Sequence, residues 1–109
     1  AAKDPQELEA REGKALCRMS LGETKEAAQA FNAILQADPG RWRTLNAVGV
    51  LFASRGKVAE SIAYFEKATE VDGTQMAVMN NLGLAYLLDK RYAQAIETFQ
   101  RASKRLPSK

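Results

Sequence analysis

Histidine is absent from the 109-residue chain, and cysteine occurs once, at Cys17. A single thiol cannot close an internal disulfide, and without histidine no Cys/His metal set exists, so neither a metal nor a cofactor is expected. Prolines number three and glycines seven, and most stand between apolar-periodic stretches rather than inside them. That distribution favours helices joined by short turns. No apolar run approaches the ~20 residues of a membrane-crossing helix, so direct membrane insertion is not expected. Charge of one sign is not in excess either, since 16 basic and 13 acidic side chains leave +3. The basic tail Arg101, Lys104, Arg105 and Lys109 has no interleaved aromatic to stack bases. It reads as a solvated helix end, and no nucleic-acid partner is expected. With no Gly-rich phosphate loop and no nucleophile–base pair, the chain is not expected to be an enzyme. It begins Ala1-Ala2-Lys3, without methionine or a visible signal peptide, as a mature form or an excised fragment would.

What is present is a repeat. Apolar residues make up 46% of the chain, enough for one domain with a single core. Sliding the sequence against itself by about 34 residues brings Phe31, Phe65 and Phe99 into one column. Ala27, Ser61 and Ala95 fill a second column with small residues. Ala15, Gly49 and Gly83 fill a third, and Ile34, Ala68 and Ala102 a fourth. Gly22, Gly56 and Lys90 align, as do Pro39, Gly73 and Pro107. Three copies, 8–41, 42–75 and 76–109, follow a lead-in of residues 1–7 and make one domain of the whole chain.

Each column has a physical reason. Two antiparallel helices approach to about 8–10 Å only where small side chains meet, which suits the two small columns. The Phe column reads as a wedge between neighbouring hairpins. Gly22 and Gly56 can supply the positive φ that ends a helix, and Pro39, Gly73 and Pro107 stop the second helix of each copy. The expected helices are 5–20, 24–37, 42–54, 57–71, 75–88 and 91–105. The first is marked by Asp4 as a cap, Pro5 at the first helical position and Glu7 at capping-box spacing.

These residues resemble the tetratricopeptide repeat family. Its pattern reads here as Met79, Leu82-Gly83, Tyr86, Ala95, Phe99, Ala102 and Pro107. It recurs as Leu45, Val48-Gly49, Phe52, Ser61, Phe65 and Ala68, departing at Gly73. The resemblance implies an all-α, right-handed solenoid of three antiparallel helical hairpins that holds partner segments on its concave face. The first copy departs, with Arg11, Lys14 and Arg18 where the others have Leu45, Val48 and Phe52 or Met79, Leu82 and Tyr86. Burying three unpaired cations would cost several kcal/mol each, so residues 5–38 read as an N-terminal cap. At the far end Ser103 and Arg105 replace apolar residues, and three repeats are the expected count. The stretch Asn80 to Tyr86 also resembles bacterial repeat proteins that assist pilus or secretion-system assembly, among which are periplasm-facing outer-membrane lipoproteins; otherwise a cytoplasmic location would apply.

By the same resemblance the concave face falls on the first helix of each copy. Its expected partner-binding residues are Glu12 and Leu16, then Arg43, Asn46 and Val50, then Ala77, Asn80, Leu84 and Leu87, with Glu9, Met19, Ala53 and Leu88 alongside. Asn46 and Asn80 share a column, and an amide can bridge to any peptide backbone; each could equally cap local backbone or face water. Leu16, Met19, Val50, Ala53, Leu84 and Leu87 would form an apolar patch suited to an amphipathic helix or extended segment, unless some are core. A subgroup of the family clamps chaperone-tail carboxylates with lysine, arginine and asparagine. Here Glu12, Ala77 and Asn81 stand at its cation positions and Leu16 and Ala47 at its asparagines, leaving Arg43 as the groove's cation. Trp42 reads as a cover for the joint between hairpins or as a hot spot. Cys17 reads as a small core thiol. Glu23, Glu26, Glu60, Glu66, Glu70 and Glu97 read as outward carboxylates paired with nearby cations. The expected function is a scaffold binding a protein or peptide partner; the alternative is a homo-oligomer built through Ile96, Phe99 and the open side of the last helix.

Overall fold

The structure, a computed structural model, describes residues 4–104. Six helices follow one another: α1 (Pro5–Ser20), α2 (Thr24–Ala37), α3 (Trp42–Ser54), α4 (Val58–Val71), α5 (Met76–Leu88) and α6 (Tyr92–Lys104). They pair as the hairpins α1–α2, α3–α4 and α5–α6, and each hairpin stacks on the next. The fold is an all-α helical repeat, and no strand occurs among the described residues. Pro107 and Arg105, to which the sequence pattern gave roles, lie outside them.

Local chemistry sets the helix ends. The Asp4 carboxylate accepts from the Gln6 amide at 2.9 Å, with Pro5 at the first helical position. Glu7 lies 3.7 Å from Arg11, one turn on. The turn inside each hairpin closes on a left-handed residue, Gly22 at φ 84°, Gly56 at φ 76° and Lys90 at φ 63°. Beyond it the Glu23, Lys57 and Arg91 amides donate back to the Arg18, Phe52 and Tyr86 carbonyls at 2.8–2.9 Å, satisfying groups the helix leaves free. Between hairpins the Asp38 and Asp72 carboxylates accept from the Gly40 and Thr74 amides, turning the chain into the next first helix.

The Phe column fills the space between hairpins, as Phe31 does with Ala47 and Leu51 and Phe65 with Leu82, Ala85 and Tyr86, and it also works inside the hairpin. A β-carbon on Gly49 would stand 2.5 Å from the Phe65 ring, and one on Gly83 would stand 2.7 Å from the Phe99 ring. The first helix therefore gives up a side chain so that the aromatic ring of the second can lie on its backbone. Phe31 joins Ala15, Ala27, Ala47 and Leu51 in the same manner of cluster. Burying the Phe31 and Phe65 rings contributes about 1.5–3 kcal/mol each, and Phe99, partly exposed, contributes less.

The joints between hairpins differ. At the joint of the second and third hairpins, Ile62 and Phe65 meet Leu82, Ala85 and Tyr86. The Tyr86 hydroxyl donates to Glu66 at 2.6 Å, so Glu66 is a joint residue rather than an outward carboxylate. At the first joint Ala28 stands where the next copy has Ile62, and an apolar cleft of about 330 Å³ opens between Leu35, Val48, Leu51, Phe52 and Tyr64. Phe52 stacks on Tyr64 there, ring centres 5.5 Å apart. Trp42 packs beside Leu45, Ala68 and Val78, covering the joint as one of its two readings held. Cys17 is exposed, contrary to its expected place in the core. It sits next to Leu16 on the stripe, but one residue is 100° of helix and carries it into solvent.

Gly13 and Gly49 lie inside helices with opposite surroundings, since nothing stands within 4 Å of a β-carbon built on Gly13. Gly13→Ala should raise stability by up to about 1 kcal/mol through helix propensity. Gly49→Ala gains the same propensity but overpacks against Phe65, and should cost about 1–2 kcal/mol net. Urea denaturation of both variants checks the pair, and equal shifts would refute the ring-on-glycine contact.

Burial, the hydrogen bond to Glu66 and the charge of that carboxylate push the Tyr86 hydroxyl from its ordinary 10.0 to about 12. The unfolded chain releases this proton first, so the stabilisation is whole below about pH 10 and is lost as pH rises through about 12. The stability advantage of the wild type over Tyr86→Phe should therefore hold up to pH 10 and shrink above it, as read from denaturation midpoints in alkaline buffers.

Candidate functional site

The first helices α1, α3 and α5 present the residues expected to meet a partner. Glu12, Asn46 and Asn80 occupy equivalent positions on them, one helical turn before Leu16, Val50 and Leu84.

Glu12 does not line an open groove. It is 1% exposed, and its carboxylate takes the Arg41 guanidinium at 3.2 Å and the Thr44 hydroxyl, both from the start of the next hairpin. A charge this deep requires such partners. Arg41 is itself largely buried, and its Nε has no partner among the described residues. The pair joins two hairpins, so Glu12, expected among the partner-binding residues, is a buried joint residue instead.

Asn46 is half-buried, and its side-chain oxygen accepts from the Asn81 amide at 3.0 Å. It therefore reaches into the third hairpin, one residue beyond its column mate Asn80. The Asn80-Asn81 doublet was the available signal, with one amide free to face outward while the other faces the neighbouring helix. Asn80 is exposed.

Leu16 and Met19 pack against the core cluster of the first joint, and Val50 against that of the second. On α5 the pattern changes: Leu84 is 51% exposed, Leu87 is 46% exposed and Leu88 is more open still. Ala77 is exposed beside them. Arg43 is exposed, its guanidinium 5.0 Å from the centre of the Trp42 ring. Among the first helices the exposed large apolar side chains thus gather on α5 instead of running along all three. Sequence reasoning missed Arg41 and Thr44 as partners of Glu12, since neither falls on the groove stripe.

Glu12→Ala would leave the Arg41 guanidinium without its anion. The expected loss of stability is about 3 kcal/mol, against a smaller loss for Glu12→Gln, which keeps an acceptor. A loss below about 1 kcal/mol in urea denaturation of Glu12→Ala would contradict the joint role.

Two models described as tetratricopeptide repeat match, one over residues 43–108 and one over residues 1–41. No curated protein matches the chain. Among solved structures it is similar to the first TPR domain of Spaghetti (RPAP3) bound to the HSP90 peptide SRMEEVD. The TM-score is 0.88 at 16% identity, covering 97% of this chain and 84% of that one. The TPR2B domain of yeast Sti1, in complex with an Hsp70 peptide, gives 0.84 at 21% identity, covering 92% and 80%. The pilF protein of Pseudomonas aeruginosa gives 0.81 at 25% identity, covering 88% of this chain and 43% of that one. With one repeat model spanning well over half of its length and a second spanning most of the rest, the chain belongs to the tetratricopeptide repeat family.

Proposed function

We propose that this chain is a protein-interaction scaffold that holds a peptide or helix of a partner protein against α5. The observation that carries the reading is the exposure of Leu84 and Leu87 beside the exposed amide of Asn80. Exposed leucines that line one helix face cost solubility unless something covers them, and a neighbouring amide can hydrogen-bond to a peptide backbone of any sequence. Similar folds carry chaperone peptides in their complexes, which supports a peptide-binding use of this architecture.

The chemistry favours an apolar segment over an acidic tail. Tight capture of a carboxylate needs convergent cations. Glu12, Ala77 and Asn81 stand where a clamp would have them, and Arg43 is held over Trp42. Glu9, Arg43, Ala77, Asn80, Leu84 and Leu87 remain the groove residues, with Leu16, Met19, Val50 and Ala53 as its part-buried floor. Repeats of this family are in general interaction modules without catalysis, and no catalytic role is proposed. A setting within a pilus or secretion apparatus rests on the resemblance of Asn80 to Tyr86 alone.

Selection from a displayed random-peptide library should enrich segments with two or three spaced large apolar residues. The double variant Asn80→Ala, Leu87→Glu should bind them roughly tenfold or more weakly with an unchanged melting temperature, since both side chains are exposed. Equal binding by the variant would move the partner surface off α5.

A further inference from the structure

The internal repeat shows what covers the end of each hairpin. The end of α3–α4 presents Val50, Val58, Ile62 and Phe65, and α5 lies across it, bringing Leu82 and Tyr86 into one cluster with them. Ile62 is 3% exposed as a result. Thirty-four residues on, the end of α5–α6 presents Leu84, Tyr92, Ile96 and Phe99 in the same places. There Tyr92 is 55% exposed and Ile96 58%. The polar matches are repeated too. Glu66, which accepts from Tyr86, corresponds to Gln100, and Asn46, which accepts from Asn81, corresponds to Asn80. Both Gln100 and Asn80 are exposed, and Gln100 lines an open depression of about 600 Å³ with Ile96, Phe99, Ser103 and Lys104.

We infer that this end face, which borders the groove at Asn80 and Leu84 and extends from it over α6, docks an amphipathic helix of a partner protein in the place that a further first helix would take. The face continues the interface already built between the second and third hairpins, so its occupant can be specified. Large apolar residues stand at i, i+3 and i+7, as Met79, Leu82 and Tyr86 do on α5. A hydrogen-bonding side chain at i+2 meets Asn80, and a hydroxyl at i+7 meets Gln100. A second copy stacked head to tail does not meet this description. Its α1 would bring Arg11, Lys14 and Arg18 to those three apolar positions, and covering Leu84, Tyr92 and Ile96 with them would bury cations against an apolar floor. Arg11 and Arg18 already pair with Glu7 and Glu23 on the outer side.

The test uses a probe with the required pattern, an amidated and acetylated peptide of the α5 sequence, residues 75–90. A lactam between its positions 80 and 84, outside the docking seam, holds it helical, because an isolated helix of this length is marginal. Titrated into the whole chain, it should shift the amide resonances of Leu84, Ile96 and Gln100 and leave those of α1 unmoved. Ile96→Glu should weaken binding at least about tenfold while preserving the fold, because that side chain lies in solvent. Gln100→Ala should weaken it by less. The wild type should sediment as a monomer. Absence of binding, or equal binding by Ile96→Glu, overturns the proposal. So does a wild-type dimer that Ile96→Glu converts to monomer, which would assign the face to a second copy. The groove variant Leu87→Glu keeps Asn80, Leu84, Tyr92 and Ile96, so failure of one surface is distinguishable from failure of the other.

Discussion

Everything else in this fold is arranged around an aromatic ring lying on helix backbone. Phe65 rests on Gly49 and Phe99 on Gly83, closer than any β-carbon would permit. The contact fixes how near the two helices of a hairpin stand, and so where the second helix places its remaining apolar side chains. Ile62 and Phe65 can offer a shared surface to Leu82 and Tyr86 only because the ring has been seated from behind. A solenoid is a chain of nearest-neighbour contacts. An error within one hairpin would therefore appear at its joint.

The two joints reach stability by different means. The second is filled, with Ile62 packed and two hydrogen bonds crossing it, Tyr86 to Glu66 and Asn81 to Asn46. The first carries Ala28 in place of the isoleucine and keeps a cleft whose lining loses dispersion contacts. It is crossed instead by Glu12 bound to Arg41 and Thr44. A buried pair of this kind is a costly fastening, because both ions give up water and Arg41 Nε finds no partner among the described residues. It ties the second hairpin to the first at a defined place, since a placement that parted Arg41 and Thr44 from Glu12 would leave a buried carboxylate without partners.

Much of this was legible in the sequence because the repeat enforces it. The 34-residue period and the turn residues place the helix ends within one residue of where they stand, apart from the end expected at 105, which lies outside the described residues. What could not be read was the partner of each polar residue. Helical periodicity gives the face of a side chain, but whether that face is closed depends on what the next hairpin supplies. Glu12 looked like a groove residue because its column lies on the concave stripe; Thr44 and Arg41 close over it. Cys17 failed for a related reason, since being next to an apolar stripe in sequence differs from being on it.

Glu12, Asn46 and Asn80 make the same point about function. They share one column and end in three states: a buried anion, a half-buried amide spent on the neighbouring helix, and an exposed amide. The backbone at the three positions is equivalent, so the difference comes from the helix that follows each. The first two are followed by α3 and α5, which engage the Glu12 carboxylate and the Asn46 side-chain oxygen. Among the described residues nothing follows α5–α6, and the groove stripe and the end face meet there at Leu84. Availability for a partner is thus a property of position along the stack. On the proposed reading, recognition draws mainly on the surfaces of α5 and α6, because Glu12, Leu16, Asn46 and Val50 on α1 and α3 are engaged in holding the hairpins together.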